Sequence, residues 1–454
     1  LRYESINPAT EERVAAFDVA TAARVEEALD LATKAFLDWR RRPIADRAAL
    51  LERVAGLLEG RAGEWARLMA EEMGKPLAEG EAEAKKCAWA CRWFAAEAPA
   101  MLAPEPRPSD GSRAYVRHDP LGPVLAIMPW NFPFWQFFRF AAPALTAGDV
   151  AVLKHAPNTP RCALAIEGLF REAGAPPGVV QSLFLSDEQA AAAIADPRVR
   201  GVTLTGSTRA GREVASAAGR ALKPMVMELG GSDPFLVFPD ADLDEAVKVG
   251  VASRCVNGGQ SCIAAKRFLV HRDVFDRYAK GFVEGMKARV TGDPTKAGVN
   301  VGPMARRDLR DGLASQVERS VAAGARVLLG GKTPAGKGFF YPPTVLVDVK
   351  PGTPAAVEEL FGPVAALIPF RTEEEALAIA NGTAYGLGSS LWTSDPARVE
   401  RMAAAIDAGS VFVNGMVKSD PRLPFGGVRD SGFGRELARE GMLEFVNVKT
   451  VWIR

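Results

Sequence analysis

Gly201-Val202-Thr203-Leu204-Thr205-Gly206-Ser207-Thr208-Arg209-Ala210-Gly211 reads as a short strand, a glycine-containing turn and the opening of a helix. The same alternation continues on both sides of it. Val124-Leu125-Ala126-Ile127 and Val150-Ala151-Val152-Leu153 are apolar runs of strand length. Pro160 to Ala173 is helical in pattern and leads to Val179-Val180, and Pro224-Met225-Val226-Met227 follows the next helix. Strands separated by helices of this size predict βαβ units and a parallel sheet, an α/β fold.

Outward from this core the pattern changes twice. Residues from about 21 to 99 read as helices, with Leu50, Leu51, Val54, Leu57 and Leu58 and then Trp65, Leu68, Met69 and Met73 at helical spacing. Gly74-Lys75-Pro76 is a stop signal. Cys87 and Cys91 share a helix face and read as core. A second α/β series begins near 232. Asp242-Leu243-Asp244-Glu245 and Thr372-Glu373-Glu374-Glu375 read as capping boxes. Phe268-Leu269-Val270, Ala366-Leu367-Ile368 and Val411-Phe412-Val413 are strand candidates. The tail, Glu444 to Ile453, alternates as a strand with little of its own to pair with, which suggests pairing elsewhere. No repeat, low-complexity tract or long charged linker interrupts the chain.

The 454 residues suit roughly three domains. A net charge of +1 leaves no basic excess for nucleic acid, so no nucleic-acid partner is expected. Five cysteines are too few and too odd in number for a disulfide framework, which fits a reducing cytoplasm. Three histidines, His118, His155 and His271, form no zinc spacing, so no metal site is expected. Leu1-Arg2-Tyr3-Glu4-Ser5 does not read as a signal peptide, because no apolar run follows it. Pro120 to Phe138 is uncharged over nineteen residues, yet its four prolines argue against a membrane helix. It reads as a buried strand, an irregular loop and a helix, and no membrane partner is expected.

Several residues could carry chemistry. Cys262 ends Asn257-Gly258-Gly259-Gln260-Ser261-Cys262, where two glycines allow close backbone approach. Its thiol and its own N–H can then face one site, which suits a nucleophile whose product is an oxyanion. A buried cysteine in a tight turn fits the same residues. Glu228, in Met227-Glu228-Leu229-Gly230-Gly231, is a carboxyl among apolar neighbours and suits a general base, or else a cap or ion pair. Asn131, in Pro129-Trp130-Asn131-Phe132-Pro133, offers an amide to an oxyanion or to buried backbone. Gly206, Ser207 and Gly211 lie in a turn whose helix start suits phosphate, although it is neither a Walker loop nor G-x-G-x-x-G. Lys154 ends a strand, where ligands of parallel sheets bind. No histidine is placed to pair with Cys262, which argues against a protease.

In order along the chain, Ile6-Asn7-Pro8-Ala9-Thr10, Pro129-Trp130-Asn131-Phe132-Pro133, Thr205-Gly206-Ser207, Glu228-Leu229-Gly230-Gly231, Gly259-Gln260-Ser261-Cys262, Glu359-Leu360-Phe361-Gly362-Pro363 and Pro424-Phe425-Gly426-Gly427 resemble the NAD(P)-dependent aldehyde dehydrogenase superfamily over essentially the whole length. The resemblance implies a Rossmann-type cofactor domain (residues 1–107 and 123–231), an α/β catalytic domain (232–434) and a small oligomerisation sheet (108–122 and 435–454), which includes Ala114 to His118 and the tail strand. It implies that Cys262 attacks the aldehyde, that Asn131 and the Cys262 N–H hold the oxyanion, and that Glu228 activates water on a thioester. For NAD or NADP it implies Trp130, Lys154, Gly206, Ser207, Gly211, Glu359 and Phe361. The family's Lys-Pro-Ser-Glu run is here Lys154-His155-Ala156-Pro157. The carboxylate that would repel a 2′-phosphate is missing, so use of both cofactors is expected.

The chain is most similar to succinate-semialdehyde dehydrogenases. Arg139, eight residues after Asn131, and Ser419, in Lys418-Ser419-Asp420-Pro421-Arg422, fall where those enzymes bind substrate. An arginine offers a fork to a carboxylate. A surface ion pair is the other reading of Arg139. The second arginine of some relatives, six residues before the cysteine, is here Val256, with Arg254 two residues further back. The resemblance thus implies oxidation of succinate semialdehyde to succinate by a cytoplasmic homodimer or homotetramer. The alternatives are another semialdehyde or an aliphatic aldehyde, a CoA-acylating member, which Glu228 argues against, and a catalytically silent scaffold.

Overall fold

Five strands between residues 123 and 228 pair in parallel, in the order Met225–Glu228, Gly201–Thr205, Pro123–Met128, Val150–His155 and Val180–Ser182. The computed structural model describes Arg2 to Arg454, so Leu1 of the opening segment lies outside the described residues. Val150–His155 and Gly201–Thr205 are buried along their whole length. That is why they read as continuous apolar runs rather than alternating ones. From Pro123–Met128 the chain winds outward to Val180–Ser182, then returns and winds the other way from Gly201–Thr205. The reversal falls between Pro123–Met128 and Gly201–Thr205, and the loops leaving such a pair of strand ends part to form a crevice. Those loops carry Trp130 and Asn131 on one side and Gly206 and Ser207 on the other.

A sixth strand, Gly432–Phe433, closes this sheet antiparallel to Met225–Glu228. The sequence reading groups these two residues with the catalytic domain, but their pairing is with the first sheet.

The second series forms a seven-stranded sheet, ordered Arg326–Leu329, Thr344–Val347, Val364–Phe370, Arg267–His271, Pro234–Val237, Gly388–Trp392 and Ser410–Val413. Only Arg326–Leu329 runs antiparallel. Asp242 and Thr372 cap their helices by accepting from the backbone N–H three residues on. Glu375 turns to the Arg371 N–H instead of completing the box. The reciprocal box is at Ser186 and Gln189.

Helices Ala22–Trp39, Ile44–Gly60, Ala62–Met73 and Leu77–Met101 cover the first sheet, with Cys87 and Cys91 fully buried in their core. Pro120 to Phe138 resolves into the strand Pro123–Met128, a loop and the start of the helix Trp135–Ala147. No helix among the described residues is long and apolar enough to cross a membrane. The tail does find a partner within its own chain. Val446–Ile453 pairs antiparallel with Arg113–Pro120, and Glu105–Pro106 completes a three-stranded sheet.

Candidate active site

The helix Leu243–Cys255 ends in a turn with positive φ at Asn257 (54°), Gly258 (62°) and Gly259 (78°). A Cβ on Gly259 would lie 2.3 Å from the carbonyl carbon of Gly362, so this glycine is required both by its φ and by the close approach of the Glu359–Pro363 segment. The turn delivers Cys262 with the carbonyls behind it bound to side chains. Arg254 Nη2 donates to the Gly259 carbonyl at 2.7 Å. Asn131 Nδ2 and Asn257 Nδ2 donate to that of Gln260 at 3.1 and 3.0 Å. Lys266 Nζ donates to those of Ser261 and Cys262 at 2.9 and 2.6 Å. Among the described residues the Cys262 N–H itself donates to no acceptor. Sequence reading missed Arg254, Asn257 and Lys266 in these roles. Charged residues at helix and strand ends look solvated until tertiary packing buries them.

The Cys262 thiol is partly exposed to a cavity of about 220 Å³. Phe132, Trp135, Ile263, Val417 and Phe425 give that cavity apolar walls, and Val256 is part of its lining. Lys86, Arg139, Lys418 and Ser419 line it as well, with the acidic residues Glu79 and Glu83. Arg139 is buried on the helix Trp135–Ala147, paired with the Glu436 carboxylate, with its guanidinium carbon 4.4 Å from the centre of the Phe425 ring. The surface ion pair considered for Arg139 is therefore a buried one. Arg254 faces its own turn instead of the cavity. Burial pushes the Cys262 thiol up to about 12, against the pull of Arg139 and Lys266. Cys255 points away, with its sulfur 3.5 Å from that of Met286, and all five cysteines are free thiols.

Asn131 and Glu228 flank the cavity without lining it. The backbone carbonyl of Asn131 accepts from Asn257 Nδ2 at 2.7 Å, so its amide is held from both ends against the cysteine turn. One N–H of that amide stays uncommitted. Glu228 ends its strand buried, and neither carboxyl oxygen has a hydrogen-bond partner among the described residues. Burial raises its pKa well above the usual carboxylate range, and the nearby Arg139 opposes the shift.

The cofactor candidates gather on the carboxyl edge of the first sheet. Ser207 caps the helix Thr208–Arg220 through the Ala210 N–H, and Gly211 lets that helix pack on Leu229, where a Cβ would come within 2.5 Å. Lys154 is buried, 3.7 Å from Asp187, and burial lowers its pKa. Glu359 accepts from the Gly231 N–H at 2.9 Å and lies 3.6 Å from Lys266. Trp130 and Phe361 meet edge to face at 5.7 Å. His155 donates to the Pro133 carbonyl at 2.9 Å and thereby ties the Lys154 strand to the Asn131 loop. Burial pushes its pKa down to about 4, so it is neutral. A helix start for a pyrophosphate, a lysine at one end and a carboxylate with two aromatic rings at the other fit a nicotinamide dinucleotide. No group of three or more metal-ligating side chains is present among the described residues.

The aldehyde dehydrogenase family model matches residues 1–451. A succinate-semialdehyde dehydrogenase (NADP+) of Mycobacterium avium is 50% identical over 453 residues, covering 99% of this chain and 96% of the relative. The structure of Gox0499, solved for insight into cofactor and substrate selection, superposes with a TM-score of 0.99 at 43% identity over the full length of both chains. Succinic semialdehyde dehydrogenase from Streptococcus pyogenes, solved with NADP+, superposes with a TM-score of 0.97 at 36% identity over 99% of each chain. With the cysteine turn, the switch-point crevice and these likenesses in agreement, the chain belongs to the aldehyde dehydrogenase family.

Proposed function

We propose that this chain oxidises succinate semialdehyde to succinate with NADP or NAD. The observation that carries the reading is a single cavity lined by the Cys262 thiol together with Arg139 and Ser419. The Cys262 sulfur, once deprotonated, bonds to the aldehyde carbon. The Cys262 N–H and the uncommitted N–H of Asn131 receive the oxygen as it gains charge. The dinucleotide, when bound, supplies the acceptor for the hydride that leaves this carbon, and a thioester on Cys262 results. Glu228 takes a proton from water, the water oxygen bonds to the acyl carbon, the carbon–sulfur bond breaks and the acid is released. Arg139 attracts the distal carboxylate throughout.

The apolar walls support a second reading, a short aliphatic aldehyde. The two separate on formation of reduced dinucleotide with succinate semialdehyde, glutarate semialdehyde and butanal, using both cofactors and a Cys262→Ala control. A kcat/KM highest for succinate semialdehyde and abolished in the control supports the first. Turnover of butanal alone supports the second. We also place the protein in the cytoplasm as a homodimer or homotetramer. Its five free cysteines support the first statement, and Val448, Trp452 and Ile453 exposed on the edge strand Val446–Ile453 support the second.

A further inference from the structure

Arg139 already has a carboxylate partner inside the protein, since Glu436 pairs with it in the buried interior. Lys86 does not. It projects from the helix Leu77–Met101 into the cavity that Cys262 also lines, while Lys85, one residue earlier, faces solvent with its side chain 59% exposed. Lys86 Nζ lies 2.7 Å from Ser419 Oγ and 4.3 Å from the centre of the Trp135 ring. Trp135 Nε1 also donates to Ser419 Oγ, at 3.1 Å. With two donors on its lone pairs, the Ser419 hydroxyl has only its own hydrogen left to give.

The acidic groups near Lys86 are committed elsewhere. Glu83 is paired with Lys75 and accepts the Phe134 and Trp135 N–H groups. Glu79 accepts from the Asn257 N–H, and Asp420 is paired with Arg422. What remains is an ammonium with free N–H bonds beside a hydroxyl donor; Glu79 and Glu83 also line the cavity, but among the described residues no carboxylate is in ion-pair contact with Lys86. A desolvated cation in this state favours an anion.

We propose that Lys86, acting with the Ser419 hydroxyl, is the principal charge that binds the distal carboxylate of the substrate, and that Arg139, neutralised by Glu436, is the lesser one. The assignment rests on the semialdehyde reading above and adds to it the residue that selects the substrate. Desolvation and the nearby Arg139 charge push the Lys86 pKa down to about 8, with Cys87, Glu83 and Asp420 pulling the other way. A bound carboxylate relieves that strain on the charged form.

The test compares wild type with Lys86→Met, which keeps the stem on Trp135, and with Lys86→Arg. The first readout is kcat/KM for succinate semialdehyde and for butanal. The second is protection of Cys262 from iodoacetamide by succinate. We expect Lys86→Met to lose at least tenfold more on succinate semialdehyde than on butanal and to need at least tenfold more succinate for the same protection. Lys86→Arg should retain most of both. Equal losses on the two aldehydes, with protection unchanged, overturn the assignment and leave Lys86 as a prop for Trp135. A wild type that prefers butanal and gains no protection from succinate overturns the semialdehyde reading itself. Should Lys86→Met not fold, wild type alone decides. The succinate concentration that half-protects Cys262 should rise as pH climbs past about 8 and free Lys86 loses its proton, and a half-protecting concentration that does not change overturns the proposal.

Discussion

A Cβ on Gly426 would lie 2.8 Å from Glu228 Oε1, so the bare face of this glycine is the room in which the carboxyl group sits. Two changes test the base from opposite sides. Glu228→Gln keeps the shape and removes the proton acceptor, whereas Gly426→Ala keeps the acid and crowds it, together with the Gly434 carbonyl, which lies 2.8 Å from the same Cβ. Both should slow steady-state turnover by about 10²–10⁴-fold, the usual worth of a positioned base. The first-turnover burst of reduced dinucleotide should survive in both, because release of the acyl group is the step affected. Rapid-mixing absorbance reads both phases, and loss of the burst would move Glu228 to activation of the thiol.

Arg139 and Glu436 must be tested as a pair. Removing one partner leaves a buried charge uncompensated, at a cost of about 3–5 kcal/mol. Arg139→Met with Glu436→Met is expected to fold better than Arg139→Met alone. The double variant should raise KM for succinate semialdehyde while leaving KM for butanal within about twofold. An equal rise for both aldehydes would make the pair structural.

Cys262, near 12, and Glu228, raised by burial, must both lose protons to act. A group whose pKa is raised holds its proton longer, so the active fraction grows as pH rises. Accordingly kcat/KM for butanal, which reports the steps carried by the Cys262 thiolate, should climb from about pH 6 to about pH 9, while the Glu228 carboxyl, acting on acyl release, should show in the pH profile of kcat. A flat profile over that range contradicts the buried, neutral resting thiol.

The choice of cofactor turns on position 157. Pro157→Glu places a carboxylate near the end of the strand that carries Lys154, where it repels a 2′-phosphate. The variant should lose at least tenfold in kcat/KM with NADP relative to NAD. In wild type, a preference for either cofactor above about a thousandfold, roughly 4 kcal/mol, would end the reading of dual use.

Beneath the site, Lys75 and Glu83 form a buried ion pair, with Lys75 Nζ 3.9 Å from the centre of the Phe132 ring. Glu83 also supplies the cap that Phe134 cannot give to the helix Trp135–Ala147. Glu83→Ala should cost about 3–5 kcal/mol by stranding Lys75. A lower thermal midpoint by differential scanning calorimetry checks this, and Lys75→Met in the same chain should restore part of it.

The parallel strands of the first sheet were legible because burial on both faces leaves unbroken apolar runs such as Val150-Ala151-Val152-Leu153. Cys262, Asn131 and Glu228 stood out because each sits in a motif of glycines or apolar residues where its type is unusual. Strand order was not legible, since no local signal shows that the chain reverses between Val180–Ser182 and Gly201–Thr205. The supporting charges were hidden for a related reason. Lys85-Lys86 looks like a solvated helix face, and only the helical turn between the two sends one to water and the other to the cavity. Glu436, far along the chain from Arg139, became its partner only through tertiary packing.

The fastened carbonyls of residues 259 to 262 bear on the rate of chemistry more than on affinity. A donor that must turn toward a nascent alkoxide spends part of its interaction on the turning. Here Arg254, Asn131, Asn257 and Lys266 have already oriented the peptide dipoles before any substrate arrives, so the reorganisation energy is met during folding. Loosening one of these anchors should therefore broaden the ensemble of the turn and raise the activation barrier while ground-state binding stays nearly constant.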